Sequence, residues 1–246
     1  MKLLLNKNTF VNNLLGPVSK LSDNLLLDFQ PGAWKSGWSA KTLVSSSDNS
    51  TILLGDIPCA VEENPFKCVI PDCKTFLRLF AGIEQEQIEL DINSNVIKYK
   101  DGSFSFKYHL LDESYIVNKK SISEEKLKSL SFDTTFVMTK QKLSEIIKFN
   151  SIVPDAEKLY FVSDGNKILA KLGDEQKTNT NEIVTEVSVN DSVKGLQLVD
   201  KFPINIQNVL LFSFSDDKIN VSVNHQLKVF KFESENLSYI VSGLVR

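Results

Sequence analysis

The chain has few of the residues that usually carry catalysis or hold metal ions. Its 246 residues include two histidines, His109 and His225, and both stand in or beside strand-like segments. Such a pair supplies neither a multi-histidine metal site nor a Ser-His-Asp triad. The phosphate-binding signatures G-x-G-x-x-G and G-x-x-x-x-G-K-S/T are also absent from the sequence. We therefore expect no catalytic site, no metal and no cofactor, and we expect that the protein is not an enzyme.

Cysteine is scarce, and long apolar runs are missing. The three cysteines Cys59, Cys68 and Cys73 are an odd number without C-x-x-C spacing, so we expect reduced structural thiols. The opening segment Met1–Lys7 has too short an apolar run for a secretory signal, and no stretch reaches the length of a membrane span. These absences predict a soluble protein of the cytoplasm without a membrane partner.

The composition is that of a globular protein. Hydrophobic residues make up 42% of the chain and charged residues 24%, which excludes a disordered or membrane-embedded class. The net charge of −3 argues against a surface that is basic all over. Nucleic acid responds to where charge lies rather than to its sum, so a local basic patch stays open.

An internal repeat is the clearest positive feature of the sequence. Its offset is about 132 residues, the distance from Val11 to Leu143. The matched positions are Val11, Leu14, Leu15, Ser19 and Asp23 with Leu143, Ile146, Ile147, Ser151 and Asp155. Asp72 and Asn205 each end a strand-like run as a helix cap, and Ile88–Ile92 returns as Ile219–Val223. A repeat this long is a whole domain rather than a solenoid unit of about 20–50 residues.

Each half follows the pattern β-α-β-β-β-α-β-β-β, which predicts an α+β fold with a mostly antiparallel sheet and two helices on one side. In the first half the predicted strands are Lys2–Leu5, Leu25–Phe29, Ala40–Val44, Thr51–Asp56, Ile88–Ile92, Val96–Lys100 and Phe104–Leu110. In the second half they are Thr134–Met138, Lys158–Val162, Lys167–Leu172, Glu182–Val189, Ile219–Val223, Leu227–Phe232 and Leu237–Val241. We expect an N-terminal domain over 1–112, a connector over 113–131 and a C-terminal domain over 132–246.

The predicted helices differ in how they begin and end. Thr139 is expected to cap the first helix of the second half, and Gly16-Pro17 to kink or end its counterpart. The second helices are expected over Cys73–Ala81 and roughly Ile206–Leu211.

The outward faces of these helices are basic to neutral in a protein that is acidic as a whole. Lys74 and Arg78 share the face opposite the apolar residues of their helix, and Gln207 and Asn208 make the fourth helix neutral. The helix after Thr139 carries lysines with one acid, Glu145. Such faces suit a surface near a phosphate backbone, because Lys and Arg position phosphates without reading bases.

Tandem domains of this pattern with basic helices resemble the sliding clamps, the ring-shaped processivity factors of replicative DNA polymerases. The two-domain chain is most similar to the clamps of T-even-type bacteriophages. The stretches that carry the likeness are the opening Met-Lys-Leu, Asp23-Asn before a strand, Lys35-Ser36-Gly37, Phe202–Leu211 and the ending Tyr239-Ile-Val-Ser. For a viral protein the implied location is the cytoplasm of the host cell.

The resemblance implies a DNA-clamp fold assembled as a ring of three identical subunits around duplex DNA. It also implies a replicative polymerase and an ATP-dependent clamp loader as partners. The residues expected to face DNA are Lys7, Lys20, Lys74, Arg78, Lys140, Lys142 and Lys148. Subunits are expected to join head to tail through Phe104, Phe106 and Tyr108 of one copy and Ile183, Thr185 and Val187 of the next. A partner peptide is expected to bind Tyr115, Val117, Ile122, Tyr239, Val241, Leu244 and Val245.

Alternative readings of the sequence remain open. A duplicated viral structural β protein, such as a tail or capsid component, would also show this repeat, and a small-molecule enzyme is a third hypothesis. The connector's apolar residues either pack it down or dock a partner. Trp34 and Trp38 either pack on their own domain or form a ligand platform, and the apolar tail 243–246 either binds a partner or folds back.

Overall fold

The computed structural model describes residues 1–32, 34–61, 64–115, 124–174, 181–198 and 202–244. The chain divides into two compact units, unit 1 (Met1–Ser123) and unit 2 (Glu124–Arg246). The division falls inside 113–131, the range predicted for the connector. Predicted connector residues Val117 and Ile122 and tail residue Val245 lie outside the described residues.

Unit 1 is built on one antiparallel sheet. Its strands are β1 (Lys2–Asn6), β2 (Leu25–Pro31), β3 (Trp38–Ser45), β4 (Thr51–Val61), β5 (Phe66–Ile70), β6 (Gln87–Asn93), β7 (Val96–Asp101) and β8 (Phe104–His109). They are ordered β5-β2-β3-β4-β1-β6-β7-β8. Leu3 is opposite Val61 of β4 on one side and Leu90 of β6 on the other, so β1 joins the two halves of this sheet.

The first helical segment of unit 1 bends where the sequence predicts a kink. It consists of α1 (Lys7–Phe10), a π-helical turn (Val11–Leu15) and α2 (Gly16–Leu21). The Gly16 N–H donates to the Val11 carbonyl, five residues back, and Pro17 follows in the first turn of α2. A π turn accommodates a proline because the residues around it need not keep the regular i to i−4 bonds. The segment therefore continues to Leu21 instead of ending at Gly16.

An aromatic cluster joins the helices of unit 1 to its sheet. Helix α3 (Cys73–Phe80) begins at Asp72, whose carboxylate accepts the Thr75 N–H at 2.9 Å. Fully buried Phe76 lies edge-on to Phe10 and Phe80, with ring centroids 6.4 and 5.1 Å apart. The sequence reason is the spacing of Phe76 and Phe80, which places both rings on one face of the helix.

The described residues of unit 2 form two antiparallel sheets. One is ordered β13 (Lys194–Gly195), β9 (Thr134–Thr139), β15 (Lys218–Asn224), β16 (Val229–Glu233) and β17 (Leu237–Ser242). The other is ordered β12 (Ile183–Glu186), β11 (Lys167–Leu172), β10 (Lys158–Asp164) and β14 (Ile204–Asn205). A bridge between Met138 and Ser188 links the two sheets.

Two helices of unit 2 begin as the sequence predicts, α5 (Lys140–Ile152) and α6 (Ile206–Leu210). A further helix, α4 (Glu124–Lys128), lies in the range predicted as the connector, where no helix is expected. Thr139 Oγ1 accepts the Lys142 N–H at 3.2 Å, which confirms the predicted cap of α5. Asn205 Oδ1 accepts the Gln207 N–H at 2.9 Å, so Asn205 caps α6 as Asp72 caps α3.

Three details of the predicted strands are corrected. Phe66–Ile70 forms a fourth strand between the two helical segments of unit 1, where the predicted pattern has three. The N–H groups of Val187 and Ser188 share the Ile168 carbonyl, so β12 ends at Glu186 rather than Val189. Leu227 lies in a turn because Asn224 Oδ1 accepts its N–H at 2.6 Å, and β16 begins only at Val229.

Candidate nucleic-acid interface and assembly edges

Helix α3 presents two cations on the face away from its apolar core. Phe76 and Phe80 are buried, whereas Lys74 and Arg78 are exposed one turn apart. This arrangement matches the predicted helix face. Lys74 is paired, since its Nζ lies 3.1 Å from Asp23 Oδ1.

Helix α5 repeats the arrangement in unit 2 with lysines at other positions. Leu143 and Ile146 are buried, and Lys140 and Lys148 are exposed. Lys142 is half-buried, and its Nζ donates to Glu145 Oε2 at 2.8 Å. That hydrogen bond is the main reason that the pKa of the Glu145 carboxyl lies below its usual value.

Two of the predicted DNA-facing lysines are engaged by backbone carbonyls. Lys7 is half-buried, and its Nζ donates to the Ile83 carbonyl at 2.6 Å. Lys140 Nζ lies 3.4 Å from the Ser215 carbonyl. Lys7 is therefore placed to fix the segment after α3, and its contact with a phosphate would require breaking this bond. Lys20 is exposed in the last turn of α2.

Helix α6 carries no charge, as the sequence predicts, but its outward face is smaller than predicted. Gln207 is exposed, whereas Asn208 is only 8% exposed and belongs to the buried side of α6. The helix is five residues long, so few of its side chains point away from the unit.

Strand β8 is a free edge of unit 1 among the strands that the structure describes. It pairs with β7, and the Leu110 N–H donates to the Asn95 carbonyl at 2.8 Å. Because N–H groups alternate between the two sides of an antiparallel strand, those of Ser105, Lys107 and His109 point to the open side. Unpaired edge groups of this kind are available for pairing with another chain.

The predicted interface side chains on β8 form an aromatic patch. Phe104 and Phe106 are half-exposed, and Tyr99 stacks on Phe106 with ring centroids 5.6 Å apart. Phe104 covers Gly82, where an added Cβ would come within 2.6 Å of the ring. Tyr108 differs from the other two, because its ring is 9% exposed and its hydroxyl donates to the Asp72 carbonyl at 2.9 Å.

Strand β12 is the corresponding free edge in unit 2, within the part of the chain described. It pairs with β11, and the Val187 N–H donates to the Ile168 carbonyl on that side. Because N–H groups alternate along an antiparallel strand, those of Val184 and Glu186 point to the open side. Ile183 and Thr185 are half-buried on this strand. Val187 is 1% exposed, so its side chain belongs to the core rather than to a surface.

The residues predicted to dock a peptide are not gathered in one open groove. Tyr239 and Val241 are fully buried in the core of unit 2, where the Tyr239 ring packs against Phe212 with ring centroids 4.5 Å apart. Their assignment to an accessible groove is therefore corrected. Leu244 is half-exposed, and its N–H donates to the Pro203 carbonyl at 2.7 Å. Tyr115 lies in a short 3-10 turn, Glu113–Tyr115.

Two exposed leucines that sequence reasoning missed lie at the same end of unit 2 as Leu244. Leu196 is 62% exposed and Leu227 is 57% exposed. Thr134 Oγ1 donates to the Leu196 carbonyl at 2.6 Å and lies 2.9 Å from His225 Nε2, two residues before Leu227. The Gly243 N–H donates to the Lys228 carbonyl at 2.7 Å, which brings the tail to this turn. The signal available in the sequence was the position of Leu227, which directly follows the polar residues Asn224-His-Gln.

Other kinds of site are not found in the described residues. No group of three or more His, Cys, Asp and Glu side chains there could hold a metal ion. The thiols of Cys59, Cys68 and Cys73 are free, and burial raises the pKa of each to about 12. No described helix combines the length and apolar character needed to cross a membrane. Trp34 Nε1 donates to Asp56 Oδ1 at 2.9 Å, so this loop aromatic packs on its own unit.

Comparison with known proteins identifies the architecture. No protein-family model and no curated protein matches the sequence. PCNA from A. fulgidus, solved with the C-terminal region of FEN-1 bound, matches this chain over 100% of its length and over 98% of the PCNA chain, with a TM-score of 0.75 and 15% identity. The chain has the sliding-clamp fold.

Two further clamp structures support the same assignment. In the PCNA2–PCNA3 complex from Sulfolobus tokodaii, the match covers 99% of both chains with a TM-score of 0.72 and 13% identity. The DNA polymerase III beta subunit of Thermotoga maritima matches 100% of this chain but 65% of its own, with a TM-score of 0.70 and 11% identity. The predicted α+β clamp fold is confirmed, and the chain has the length of a PCNA subunit.

Proposed function

We propose that this chain is a DNA sliding clamp, a non-catalytic ring that encircles duplex DNA and tethers a replicative DNA polymerase. The observation that carries the proposal is the whole-length match to PCNA subunits, with a TM-score of 0.75. The exposed cations on α3 and α5 support it, because weak contacts with phosphates suit a protein that slides. The alternative of a viral tail or capsid component is not supported by the comparisons.

The proposed ring is a homotrimer closed head to tail. Each chain supplies two units, so three copies would supply the six domains that the clamp resemblance implies. The open edges β8 and β12 lie in different units, which suits a heterologous contact between successive copies. Phe104 and Phe106 on β8 would then be covered by the neighbour near Ile183 and Thr185. The T-even-type phage origin and a host-cell location belong to this proposal as well.

The proposed DNA-facing residues are the exposed cations Lys20, Lys74, Arg78, Lys140 and Lys148, with Lys142 beside them. Lys7 stays in the set as the least accessible member because of its bond to Ile83. Each phosphate neutralised contributes a slope of about −0.9 to the salt dependence of binding. The contacts are therefore expected to share the binding energy instead of concentrating it in one residue.

The proposed partners are the replicative polymerase and an ATP-dependent clamp loader. The A. fulgidus PCNA structure contains a C-terminal peptide region of its partner, which supports a peptide-docking role by analogy. In this chain the docking surface is proposed around Leu196, Leu227 and Leu244 of unit 2. Tyr115, Val117, Ile122 and Val245 stay predictions that rest on the clamp resemblance alone. Exposed apolar side chains that cluster at one end of a domain are typical of such surfaces.

A test of the proposed function combines solution mass with processive DNA synthesis. Light scattering is expected to give a closed trimer, and the loaded protein is expected to extend polymerase runs on circular DNA. A variant with Lys74, Arg78 and Lys148 all changed to Glu should keep the trimer mass and lose processivity, because the helix faces would then repel phosphates. A strictly monomeric protein, or full processivity in the triple variant, would contradict the proposal.

A further inference from the structure

Two of the cations on the helix faces are already neutralised by carboxylates. Lys74 Nζ lies 3.1 Å from Asp23 Oδ1, with 60% and 82% of the two side chains exposed. Lys142 Nζ lies 2.8 Å from Glu145 Oε2 within α5. Arg78 and Lys148 on the same two helices make no hydrogen bond or close ion pair within the described ranges, but their charges attract the carboxylates of Asp72 and Glu145 and help to lower the pKa of each. The faces therefore mix paired and unpaired cations.

These two ion pairs are expected to contribute little to the free energy of folding. Water screens exposed ion pairs, so they add little to stability. Asp23 supports the start of α3 through its backbone, since its carbonyl accepts the Cys73 N–H at 2.7 Å. The Glu145 carboxyl has a lowered pKa, so it is charged at neutral pH. The main effect of both carboxylates is on the charge that these faces present.

We propose that Asp23 and Glu145 are counter-charges that weaken the hold of Lys74 and Lys142 on the DNA backbone. The inference rests on the proposed function. A phosphate that approaches either lysine must displace a carboxylate or stand beside it, and like charges repel. Each paired lysine then releases fewer counterions than a free one. The clamp keeps cations that attract DNA while limiting how tightly they hold it, which favours sliding.

The repeat supplies a matched control. Asp155 is the counterpart of Asp23 in unit 2 and is exposed, but the position of Lys74 is taken there by uncharged Gln207. Asp155 has no ion pair in the described part of the chain. Asp155→Asn therefore removes one negative charge at the equivalent place without freeing a lysine.

The experiment measures duplex affinity of the full chain against salt concentration. The probe is a short fluorescent DNA duplex, and the readout is anisotropy. The double variant Asp23→Asn, Glu145→Gln is expected to bind about tenfold more tightly at low salt, with a slope steeper by about two. Asp155→Asn is expected to stay within about twofold of wild type, because no lysine gains a free charge. Circular dichroism and solution mass should be unchanged in all variants.

The outcomes separate this inference from the proposed function. Wild-type affinity in the double variant overturns the inference if Arg78→Glu, Lys148→Glu weakens binding in the same assay. An equal gain in Asp155→Asn also overturns it, because general charge would then explain the effect. If the Arg78 and Lys148 reversal leaves duplex binding unchanged, the DNA-facing surface itself is wrong and the inference fails with it.

Discussion

Units 1 and 2 start α3 and α6 with equivalent caps and end their last strands with equivalent residues, yet they place their charges on different helices. Asp72 and Asn205 cap α3 and α6, and the N–H groups of Leu111 and Leu244 donate to the segment before that helix, at the carbonyls of Val69 and Pro203. Unit 1 carries its cations mainly on α3, and unit 2 carries them mainly on α5. The repeat preserves the backbone plan and leaves the charges free to vary.

The sheets of the two units differ in how they are joined. In unit 1 the eleven residues of β4 reach far enough for Val61 and Ala60 to pair with β1. In unit 2 the four-residue β12 ends early, and a single bridge between Met138 and Ser188 makes the same connection. The reason is that the N–H groups of Val187 and Ser188 both donate to the Ile168 carbonyl, so the regular pairing with β11 ends after Glu186.

The largest expected effect distinguishes the buried side chains of α3 from those of α6. Phe76→Ala should lower the free energy of unfolding by about 3–5 kcal/mol, because it leaves a large cavity. The counterpart in unit 2, Val209→Ala, removes a smaller side chain and should lower it by about 2 kcal/mol. Both side chains are buried. Urea unfolding checks this, and tryptophan fluorescence reports on unit 1 alone, since Trp34 and Trp38 are the only tryptophans. Equal losses in the two variants would contradict this difference between the cores.

The next effect concerns the two open edges. Lys107→Pro on β8 and Val184→Pro on β12 each remove an outward N–H, so each should reduce the fraction of assembled protein. The fold of the single chain should be retained, because edge strands tolerate proline. Lys107→Ala and Val184→Ala keep the N–H groups and serve as controls. Light scattering measures the solution mass. A trimer that survives both proline variants would mean that other surfaces join the subunits.

A smaller effect is expected where exposed leucines differ in their surroundings. Leu227→Asp in unit 2 should weaken binding of a labelled polymerase C-terminal peptide about tenfold or more, because burial of one leucine contributes roughly 1.5–3 kcal/mol. Leu111→Asp is the matched control, since Leu111 is the repeat counterpart of Leu244 and is 42% exposed in unit 1. Fluorescence titration measures both. Equal weakening by the two variants would place the docking surface elsewhere.

The smallest effect separates the two helix caps by pH. Hydrogen bonds from Thr75, first from its hydroxyl and then from its N–H, lower the pKa of Asp72 below its ordinary value of 3.8. The ionised cap therefore stabilises unit 1 fully above that value, and this stabilisation is lost as pH falls through the lowered pKa. Asp72→Asn copies the uncharged Asn205 cap and should remove this dependence. Thermal unfolding followed by tryptophan fluorescence tests it, and parallel pH profiles of variant and wild type would contradict it.

Local sequence signals predicted a large part of this fold. Period-2 alternation located most strands, because a half-buried strand must alternate its side chains. Thr139, Asp72 and Asn205 were recognised as caps because their side chains bond the nearby backbone, a contact set by a few residues of sequence. The π turn at Val11–Leu15 and the end of β12 were not predicted, since each depends on a choice of hydrogen-bond partner. The Gly16 N–H reaches the carbonyl five residues back, and the Ser188 N–H shares the Ile168 carbonyl with Val187.

The sequence by itself determined the repeat, most of the order of helices and strands, and the cations on the outer faces of α3 and α5. Tertiary structure alone decided which of those side chains are available. It buried Tyr239 and Val241, bound Lys7 to the Ile83 carbonyl, and brought Asp23 to Lys74 across 51 positions of chain. Periodicity records which face a residue occupies, whereas a partner distant in sequence is fixed only when the elements pack.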